Sequence, residues 1–393
     1  MTRIWNKHKQ TNTPLKRKVF VGMSGGVDSS VAAALLKKKG YDVVGVFIKG
    51  WSDNRFFKDK TMCPWVTDQE DARRVAAQIG IPFYTFDFEK EYRKKVVEYM
   101  VKSYRSGITP NPDVMCNKEI KFGVFFEKAR KLGADFVATG HHARVREQKT
   151  KNKKLKTYEL LAGKDIHKDQ SYFLWTLTQK QLSRTLMPIG DYTKEEVRAM
   201  AHELGLPTAE KKDSQGLCFV GEVNVHDFLK SMIKPKKGKI ITTGGNIVGE
   251  HEGAMFYTIG QRHGIGVKGG RPKGEPRPKG AGGTPYYVTG KDIKKNILYV
   301  GEGVNDAELY KRELTATQLS WISGKAPALP LRCSARIRYR QPIQKTRLFK
   351  VKNQKSKVKS FKAVFDAPQR AVAPGQSIVF YLGSRVVGGG IIA

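Results

Sequence analysis

The chain has 393 residues, and its 72 lysine and arginine residues outnumber its 36 aspartate and glutamate residues, for a net charge of +36. This length predicts two or three domains, and no apolar stretch is long enough to cross a bilayer, which argues against a membrane-spanning protein. Because so large an excess of one charge repels itself unless a polyanion is nearby, nucleic acid is the favoured partner. An anionic membrane surface is the weaker alternative, since no basic amphipathic helix with a bulky apolar face is visible.

The four cysteines lie far apart in the chain, at Cys63, Cys116, Cys218 and Cys333. No C-x-x-C pair occurs, which argues against a zinc or iron–sulfur site and against a secreted disulfide scaffold. We therefore expect reduced thiols in a cytoplasmic protein. Residues 1–17 carry several basic residues and no acidic one, which predicts a disordered basic arm, with an organelle transit peptide as the alternative.

The predicted elements begin with an apolar run, Lys18–Met23, that enters a glycine-rich turn and then a helical pattern over Val31–Lys39. Gly25 and Gly26 allow the backbone to approach an anion closely, and the N–H groups at the start of the helix point towards it. Asp28 would repel a bare phosphate, so its presence predicts a bridging Mg²⁺. The turn lacks the Gly-Lys-Ser/Thr ending of a Walker A loop, and the alternative interpretation is an ordinary glycine turn before a buried helix.

Strands and helices then alternate along the chain. The predicted strands are Tyr41–Phe47, Pro82–Phe86 and Phe136–Thr139, and the predicted helices are Asp68–Ile79, Glu91–Tyr104, Lys121–Leu132 and Thr193–Leu204. Thr193 is the predicted N-cap of the last helix. This alternation predicts a doubly wound α/β domain with a parallel sheet, over residues 18–210.

The pattern changes after residue 210. Residues 211–283 contain short strands and many glycines and predict a small central domain, which ends in a glycine-, proline- and lysine-rich stretch at 268–283. Residues 284–393 predict a C-terminal β-barrel, with a basic hairpin tip at 348–360. The short β-runs behind this prediction are Tyr286–Val288, Ile297–Val300, Ala335–Arg340, Ala363–Phe365 and Ser377–Tyr381. A short basic loop is predicted at 149–156.

The turn residues Ser24-Gly25-Gly26-Val27-Asp28-Ser29 resemble the pyrophosphate loop of the ATP pyrophosphatases. These enzymes adenylate a substrate and release pyrophosphate. The resemblance implies an adenine nucleotide hydrolase-like fold for the N-terminal domain, although a pyrophosphate loop alone does not identify the substrate.

Two further segments each contain a cysteine. In Thr109–Asn117, two prolines fix a rigid turn just ahead of a predicted helix, and a thiol near a helix N-terminus is the better nucleophile because its thiolate is favoured. The alternative is a proline-bounded loop in which Cys116 is a buried structural residue. The segment Lys212–Val220 predicts a loop with an accessible Cys218, and the alternative there is a small apolar filler.

Together these segments resemble the tRNA-specific 2-thiouridylase family, and the resemblance extends from Val19 to Ala393. The matching motifs are Gly22–Ser30, Asn111–Asp113 with Cys116-Asn117, Ala138–His141, Lys168–Tyr172, Ser214–Phe219, Tyr257–Arg262 and Arg338–Pro342. The resemblance implies that the 2-oxygen of the wobble uridine of tRNA is adenylated with ATP and replaced by sulfur. It further implies that a sulfur-relay protein or a cysteine desulfurase delivers the sulfur as a persulfide.

The resemblance also assigns roles to individual residues. It implies ATP binding by Gly22, Met23, Ser24, Gly25, Gly26, Val27, Asp28, Ser29, Ile48 and Gly140. It implies that Cys218 carries the persulfide and that Cys116 is the nucleophile that releases the sulfur, which leaves a transient Cys116–Cys218 disulfide. Asp113 is the implied acid or base. Asn111, Pro112 and Asp113 are the implied contacts to the target base, and Lys168, Asp169, Gln170, Arg338 and Tyr339 the implied contacts to tRNA.

One position departs from the family pattern, because Ile48 stands where a methionine is expected. The basic segments also look longer or more basic than is typical, which favours extra RNA affinity or a solvated surface. Two alternatives to a 2-thiouridylase stay open from the sequence. The chain could be another ATP pyrophosphatase that adenylates a different acceptor, or an RNA-binding protein on a decayed nucleotide fold.

Overall fold

A computed structural model describes residues 16–51, 64–148, 156–212, 225–267, 285–351 and 360–393. The predictions for most of the basic arm, for most of the loop at 149–156 and for the 268–283 stretch lie outside these residues. So do Cys63, Cys218 and the centre of the predicted tip at 348–360. Within the described ranges, no helix combines the length and apolar character needed to cross a lipid bilayer.

The N-terminal part alternates strands with helices, as the sequence predicts. Its strands are β1 (Lys18–Met23), β2 (Asp42–Lys49), β3 (Phe83–Asp87), β4 (Phe136–Thr139), β5 (Ala143–Gln148), β6 (Thr157–Ala162) and β7 (Thr185–Leu186). Its helices are α1 (Val27–Lys38), α2 (Pro64–Gln78), α3 (Glu89–Tyr92), α4 (Glu98–Arg105), α5 (Pro112–Met115), α6 (Phe126–Lys131), α7 (Gln179–Leu182) and α8 (Lys194–Glu203). Two π-helical segments, Arg93–Val97 and Cys116–Phe125, join α3 to α4 and α5 to α6.

Five of these strands form a parallel sheet in the order β3-β2-β1-β4-β7. Alternate residues of a strand face opposite sides of the sheet. Accordingly, Val19 and Val21 belong to the core under α1, α2 and α8, whereas Phe20 belongs to the core that contains Cys116 and Phe125. Both faces are therefore covered, which confirms the predicted doubly wound α/β domain.

A second, smaller sheet follows. After α9 (Val225–Met232) come β8 (Gly238–Thr242), β9 (Ile247–His251), β10 (Tyr286–Asp292) and β11 (Ile297–Glu302). The sheet order is β10-β11-β8-β9, and β11 pairs with β8 in parallel. Its apolar face packs against the helical layer around α4, since Tyr104, Phe228 and Val288 share one core.

A closed barrel completes the fold and confirms the predicted C-terminal architecture. Its strands are β12 (Tyr310–Trp321), β13 (Leu331–Arg336), β14 (Gln344–Lys350), β15 (Phe361–Arg370), β16 (Ser377–Leu382) and β17 (Arg385–Ile392). The six strands are antiparallel neighbours, and the pairing of β12 with both β15 and β17 closes the barrel. The β5–β6 hairpin of the N-terminal part extends this sheet, because β6 pairs with β17.

Two of the predicted β-runs belong elsewhere than expected. The runs at Tyr286–Val288 and Ile297–Val300 were grouped with the barrel, but they lie in β10 and β11 of the second sheet. The reason is that β11 pairs in parallel with β8. Because β8 precedes the 268–283 stretch and β11 follows it, this pairing leaves no local signal in the sequence. The run Ala335–Arg340 also ends early, since β13 stops at Arg336. The exact domain boundaries stay a prediction.

Candidate functional site

The glycine-rich turn between β1 and α1, residues 22–30, is held together by its own hydroxyl groups. We call it the phosphate turn. The backbone N–H of Ser24 donates to Ser29 Oγ at 3.1 Å, and the hydroxyls of Ser29 and Ser30 donate to the carbonyl of Gly26 at 3.1 and 2.9 Å. Gly26 is the N-cap of α1, and no side chain caps it. The free N–H groups at this helix end therefore face the concave side of the turn.

Neighbouring elements approach this turn so closely that two glycines are required. Gly25 has a φ of +73°, and a β-carbon there would collide with the backbone of Asp68 in α2. A β-carbon on Gly140, just after β4, would lie 2.5 Å from the backbone nitrogen of Ser29. Glycine at these positions lets the backbones of α1, α2 and the segment after β4 come into close contact. Phosphate-binding loops use glycine for such close approaches of the backbone.

The turn lies where the strand order of the parallel sheet reverses. β1 has β2 on one side and β4 on the other, and the crevice beyond the carboxyl ends of such strands is the usual ligand site of doubly wound sheets. A β-carbon on Gly22 would lie 3.8 Å from Ile48 Cδ1 and 3.6 Å from Phe125 Cε1. The structure thus brings Gly22, Ile48, Gly140 and the backbone of the phosphate turn to this edge of the sheet, whereas the side chains of Met23 and Val27 lie in the core under α1 and α2.

Asp28 is the charged residue of the phosphate turn, and two donors converge on one of its oxygens. Lys194 Nζ donates to Asp28 Oδ1 at 2.7 Å, and His142 Nε2 lies 3.4 Å from the same oxygen. Burial would raise the pKa of Asp28, but the hydrogen bond from His142 and the charge of Lys194 outweigh it and lower the pKa below its ordinary value. Asp28 is therefore an ionised carboxylate, which is a ligand type suited to Mg²⁺.

His141 is fully buried beside this crevice. Its Nδ1 lies 2.7 Å from Thr139 Oγ1, and its ring centroid lies 6.0 Å from that of Phe122. Burial, together with the charge of Lys121, lowers the pKa of His141 well below the ordinary value. The imidazole is therefore neutral and packed. In the described part of the chain, no group of three or more His, Cys, Asp and Glu residues could hold a metal by itself.

The predicted rigid turn at Thr109–Asn111 is held by residues that are distant in sequence. Thr109 donates its N–H to the carbonyl of Pro374, and Gln376 Nε2 donates to the carbonyls of Thr109 and Pro110 at 3.0 and 2.9 Å. Thr109 Oγ1 lies 3.2 Å from Thr258 Oγ1 of the central part. The barrel and the central part thus both fix this turn.

The helix after the turn begins earlier than predicted, at Pro112 rather than near Lys121. Asn111 is its N-cap and accepts from the N–H of Val114 at 3.2 Å, which satisfies one free N–H of the first turn. Pro112 occupies the first helical position, where a missing N–H costs nothing. Cys116 is consequently buried within the helix, past the first turn where a helix end acts most strongly on a thiol.

The same helical stretch connects the rigid turn at Thr109–Asn111, which we call the proline turn, to the phosphate turn. It starts with Asn111 at its N-cap, contains Asp113 and Cys116, and continues through Phe122 and Phe125. Phe122 contacts His141, and Phe125 lies against Gly22. One rigid element therefore fixes the spacing between Cys116 and the phosphate turn. Because Cys218 lies outside the described residues, its predicted pairing with Cys116 stays a prediction.

The loop Lys168–Tyr172 is held from inside by Asp169. This carboxylate is 2% exposed, accepts from the N–H groups of Gly163 and Ser171, and receives Arg336 Nη1 of β13 at 2.8 Å. Gln170 Oε1 accepts from the N–H of His142 at 3.0 Å. Asp169 therefore supports the loop from inside, and a contact between its carboxylate and tRNA stays a prediction.

Arg338 and Tyr339 follow β13, next to this loop. Arg338 Nη2 donates to the carbonyls of Ile259 and Ala371, so the guanidinium ties the barrel to the central part. Burial, and then the charge of Arg370, lowers the pKa of Arg338. Tyr339 packs on Phe173 with ring centroids 4.5 Å apart, and the guanidinium carbon of the exposed Arg340 lies 5.4 Å from the centroid of the Tyr339 ring. Tyr339 and Lys168 are both half-buried.

Sequence reasoning did not predict the long-range contacts of several residues that build the site. These are Lys194 and His142 on Asp28, Arg336 on Asp169, and Thr258 and Gln376 on the proline turn. Each acts on a partner more than a hundred positions away, so no local pattern announces it. Lys194 follows the predicted N-cap Thr193, and Thr258 lies in the matched motif Tyr257–Arg262, but neither signal identifies the partner.

Comparison with known proteins now places the chain among characterised sequences. A family model described as a tRNA methyl transferase HUP domain matches residues 17–222. Models described as a tRNA methyl transferase PRC-barrel domain and an aminomethyltransferase beta-barrel domain match residues 226–302 and 311–392. Among solved structures, a 4-thiouridine synthetase–RNA complex with bound ATP aligns at 18% identity with a TM-score of 0.32, over 55% of this chain and 50% of that one.

Full-length relatives are more similar. The tRNA-specific 2-thiouridylase MnmA of Geobacillus thermodenitrificans is 47% identical over 379 residues, which cover 96% of this chain and 95% of the relative. The tRNA-specific 2-thiouridylase MnmA of Streptococcus mutans serotype c is 48% identical over 377 residues, with 96% and 95% coverage.

Proposed function

The chain belongs to the family of tRNA-specific 2-thiouridylases, and we propose that it replaces the 2-oxygen of the wobble uridine of tRNA by sulfur. A carbonyl oxygen is a poor leaving group, so the reaction uses ATP to activate it. The uridine oxygen attacks the α-phosphorus, pyrophosphate leaves, and the oxygen later departs as part of AMP when sulfur attacks the same carbon. The products are 2-thiouridine, AMP and pyrophosphate.

The phosphate turn and its neighbours bind the ATP in this proposal. Gly22–Ser29 surround the phosphates, and Ile48 and Gly140 line the nucleotide. Support comes from the close approach of these residues at the reversal point of the sheet and from the helix N–H groups directed into the turn. The ionised carboxylate of Asp28 suits Mg²⁺, which typically binds one or two carboxylates together with substrate phosphates. Such an ion would neutralise phosphate charge.

The two thiols divide the sulfur chemistry between them. Cys218 carries a persulfide that a sulfur-relay protein or a cysteine desulfurase supplies. The thiolate of Cys116 attacks the inner sulfur of this persulfide, which releases the outer sulfur to the activated carbon and leaves a Cys116–Cys218 disulfide. A reductant of the cytoplasm, where disulfides are transient, restores both thiols. Asp113, three residues before Cys116, handles the protons, and Asn111 and Pro112 contact the target base.

The tRNA is contacted by the loop Lys168–Gln170 and by Arg338 and Tyr339. A wobble base has to leave its stack to reach an enclosed reaction centre. The net charge of +36 provides the sequence-independent affinity for the phosphate backbone, so binding should weaken strongly as salt is added.

A single structural observation carries the proposal. One continuous helical stretch begins at the proline turn, contains Asp113 and Cys116, and contacts both Gly22 and His141 at the phosphate crevice. The thiol proposed as nucleophile thus lies on an element that packs against the proposed nucleotide site. Another ATP pyrophosphatase with a small-molecule acceptor would not need a thiol in this position.

The test is mass spectrometry of nucleosides from tRNA that has been incubated with the protein, ATP, Mg²⁺ and a persulfide donor. Wild type, Cys116→Ser and Cys218→Ser run in parallel, and Cys333→Ser is the matched control because that thiol lies in the barrel. We expect a 2-thiouridine derivative from wild type and from Cys333→Ser only.

Other outcomes would contradict specific parts of the proposal. Wild type that binds tRNA and hydrolyses ATP without forming 2-thiouridine would favour a different adenylated acceptor. Product from Cys116→Ser or from Cys218→Ser would rule out the two-thiol mechanism while leaving the adenylation step intact.

A further inference from the structure

Asp28 presents an electrostatic problem at the phosphate turn. Its carboxylate lies in the first turn of α1, among the N–H groups that attract anions, and its side chain is 30% exposed towards the crevice. A bare carboxylate in this position would repel the phosphates of ATP. The surrounding residues therefore have to neutralise it or direct it towards a cation.

Both neighbours of Asp28 bind the same oxygen. Lys194 Nζ lies 2.7 Å and His142 Nε2 3.4 Å from Oδ1. Among the residues that the structure describes, no hydrogen bond reaches Oδ2. The carboxylate is thus held by one oxygen, and the other is left for a ligand from the crevice.

The lysine that holds Oδ1 is itself rigidly placed. Lys194 is the first residue of α8, its backbone N–H donates to Asp165 Oδ2 at 3.0 Å, and its side chain is 7% exposed. Thr193 and Glu196 close a capping box around it, with each residue's side chain accepting from the backbone N–H of the other. A lysine fixed at both its backbone and its ammonium group has little freedom to follow a ligand.

We propose that Lys194 is a positioning residue of the ATP site: by holding Oδ1 of Asp28, it directs Oδ2 towards Mg²⁺ bound to the phosphates of ATP. The inference rests on the proposed function only in taking ATP with Mg²⁺ as the ligand. Lys194 touches neither the ion nor the phosphates; it fixes the orientation of the carboxylate that does. Loss of a partner that orients a metal ligand typically lowers metal affinity by about 10–100-fold.

The test compares Lys194→Met with wild type in the full-length protein, without tRNA and without a sulfur donor. Calorimetry measures the dissociation constant of α,β-methylene-ATP with and without Mg²⁺, and the ratio of the two constants reports the contribution of the ion. We expect Lys194→Met to reduce this ratio by about tenfold or more, as losses of orienting partners typically do. The matched control is Lys164→Met, because Lys164 is a half-exposed lysine that pairs with Glu196 of the same helix and is not a partner of Asp28. It should keep the wild-type ratio.

A structural role alone gives a different result. Lys194→Met would then lower the unfolding midpoint and weaken binding of the analogue equally with and without Mg²⁺. The ratio would stay at the wild-type value, and that result would overturn the inference. A direct bond between Lys194 and phosphate would also leave the ratio unchanged, because its loss would weaken binding of the analogue by the same factor with and without Mg²⁺. If Lys194→Met does not fold, Lys194→Arg replaces it, since the forked guanidinium changes the donor direction and should reduce the ratio as well. Because tRNA is absent, failure of this inference leaves the thiolation assay unaffected.

Discussion

The phosphate turn and the proline turn are both short loops ahead of a helix, yet they are stabilised in opposite ways. In the phosphate turn, Ser24 and Ser29 bond to each other across five positions of sequence, and Ser30 bonds to Gly26 across four. In the proline turn, Gln376 bonds to Thr109 across 267 positions. Hydrogen bonds among its own residues hold the backbone of the first loop, although distant residues hold the Asp28 side chain, whereas barrel residues hold the backbone of the second.

This difference indicates how the two halves of the reaction are separated. A locally built turn keeps its shape whatever the barrel does, so nucleotide binding can be independent of tRNA. The proline turn and the loop Lys168–Tyr172, by contrast, depend on barrel residues, since Tyr172 Oη also donates to the carbonyl of Ser377 at 2.8 Å. The residues that we propose to act on the RNA are thus positioned by contacts with the barrel.

The largest expected effect comes from breaking the buried ion pair between Arg336 and Asp169. Arg336→Met leaves the Asp169 carboxylate buried without its cation, and such losses cost about 3–5 kcal/mol of unfolding free energy. Urea unfolding measures this cost. Since the phosphate turn is built locally, affinity for an ATP analogue should stay at the wild-type value while the protein is folded.

The double variant Asp169→Asn with Arg336→Met is the control for this pair. It removes the buried charge together with its partner, so a large part of the lost stability should return. If Arg336→Met lowered the affinity for the ATP analogue in proportion to the loss of unfolding free energy, the phosphate turn and the loop Lys168–Tyr172 would not be independent.

An effect of intermediate size is expected for Gly25→Ala. A side chain there combines a strained φ of +73° with a collision against the backbone of α2, which together cost roughly 3 kcal/mol. ATP-analogue affinity should fall sharply, because the backbone N–H groups of the turn have to move. Urea unfolding and calorimetry measure the two effects.

Gly40→Ala separates strain from collision. Gly40 has a φ of +85° but no described atom within 4 Å of its added β-carbon, so only the strain of about 1–2 kcal/mol applies. Equal losses of stability for Gly25→Ala and Gly40→Ala would contradict the close approach of α2 to the phosphate turn.

The smallest effect is expected for Thr258→Val. This change removes the hydrogen-bonding partner of Thr109 Oγ1, at a cost of about 1 kcal/mol. Turnover in the thiolation assay should fall several-fold, whereas ATP affinity should not change. Thr346→Val is the control, because Thr346 is a buried threonine of the barrel that bonds to the carbonyl of Val364. A similar loss of turnover in both variants would mean that stability alone is responsible.

The same contrast explains what could be predicted from the sequence. Apolar runs and glycines identified β1 to β4 and the phosphate turn, and Thr193 was correctly predicted as the N-cap of α8, because these signals lie within a few residues of one another. The two-residue strand β7 was not predicted, since it is too short to show a period. The start of the helix at Pro112 was missed because the prolines suggested an extended loop.

Pairings between distant residues were beyond sequence reasoning. The parallel pairing of β11 with β8 depends on a crossover, and the contact of Lys194 with Asp28 joins residues 166 positions apart. Composition and local patterns do not indicate which distant residues come into contact. The backbone of the residues assigned by resemblance to the ATP site lies at one edge of the sheet, but the side chains of Met23 and Val27 lie in the core, and Asp169, assigned to tRNA, is buried inside the protein.

The extension of the barrel sheet by the β5–β6 hairpin has a consequence for how the protein is made. β17 closes the barrel against β12 and also pairs with β6, and it leaves the ribosome only after both of these strands. Until then, the hairpin has an unpaired edge and the barrel is open, both of which are surfaces prone to wrong pairing. The nascent chain therefore has to protect two exposed edges until β17 is made, and this one strand then pairs with both.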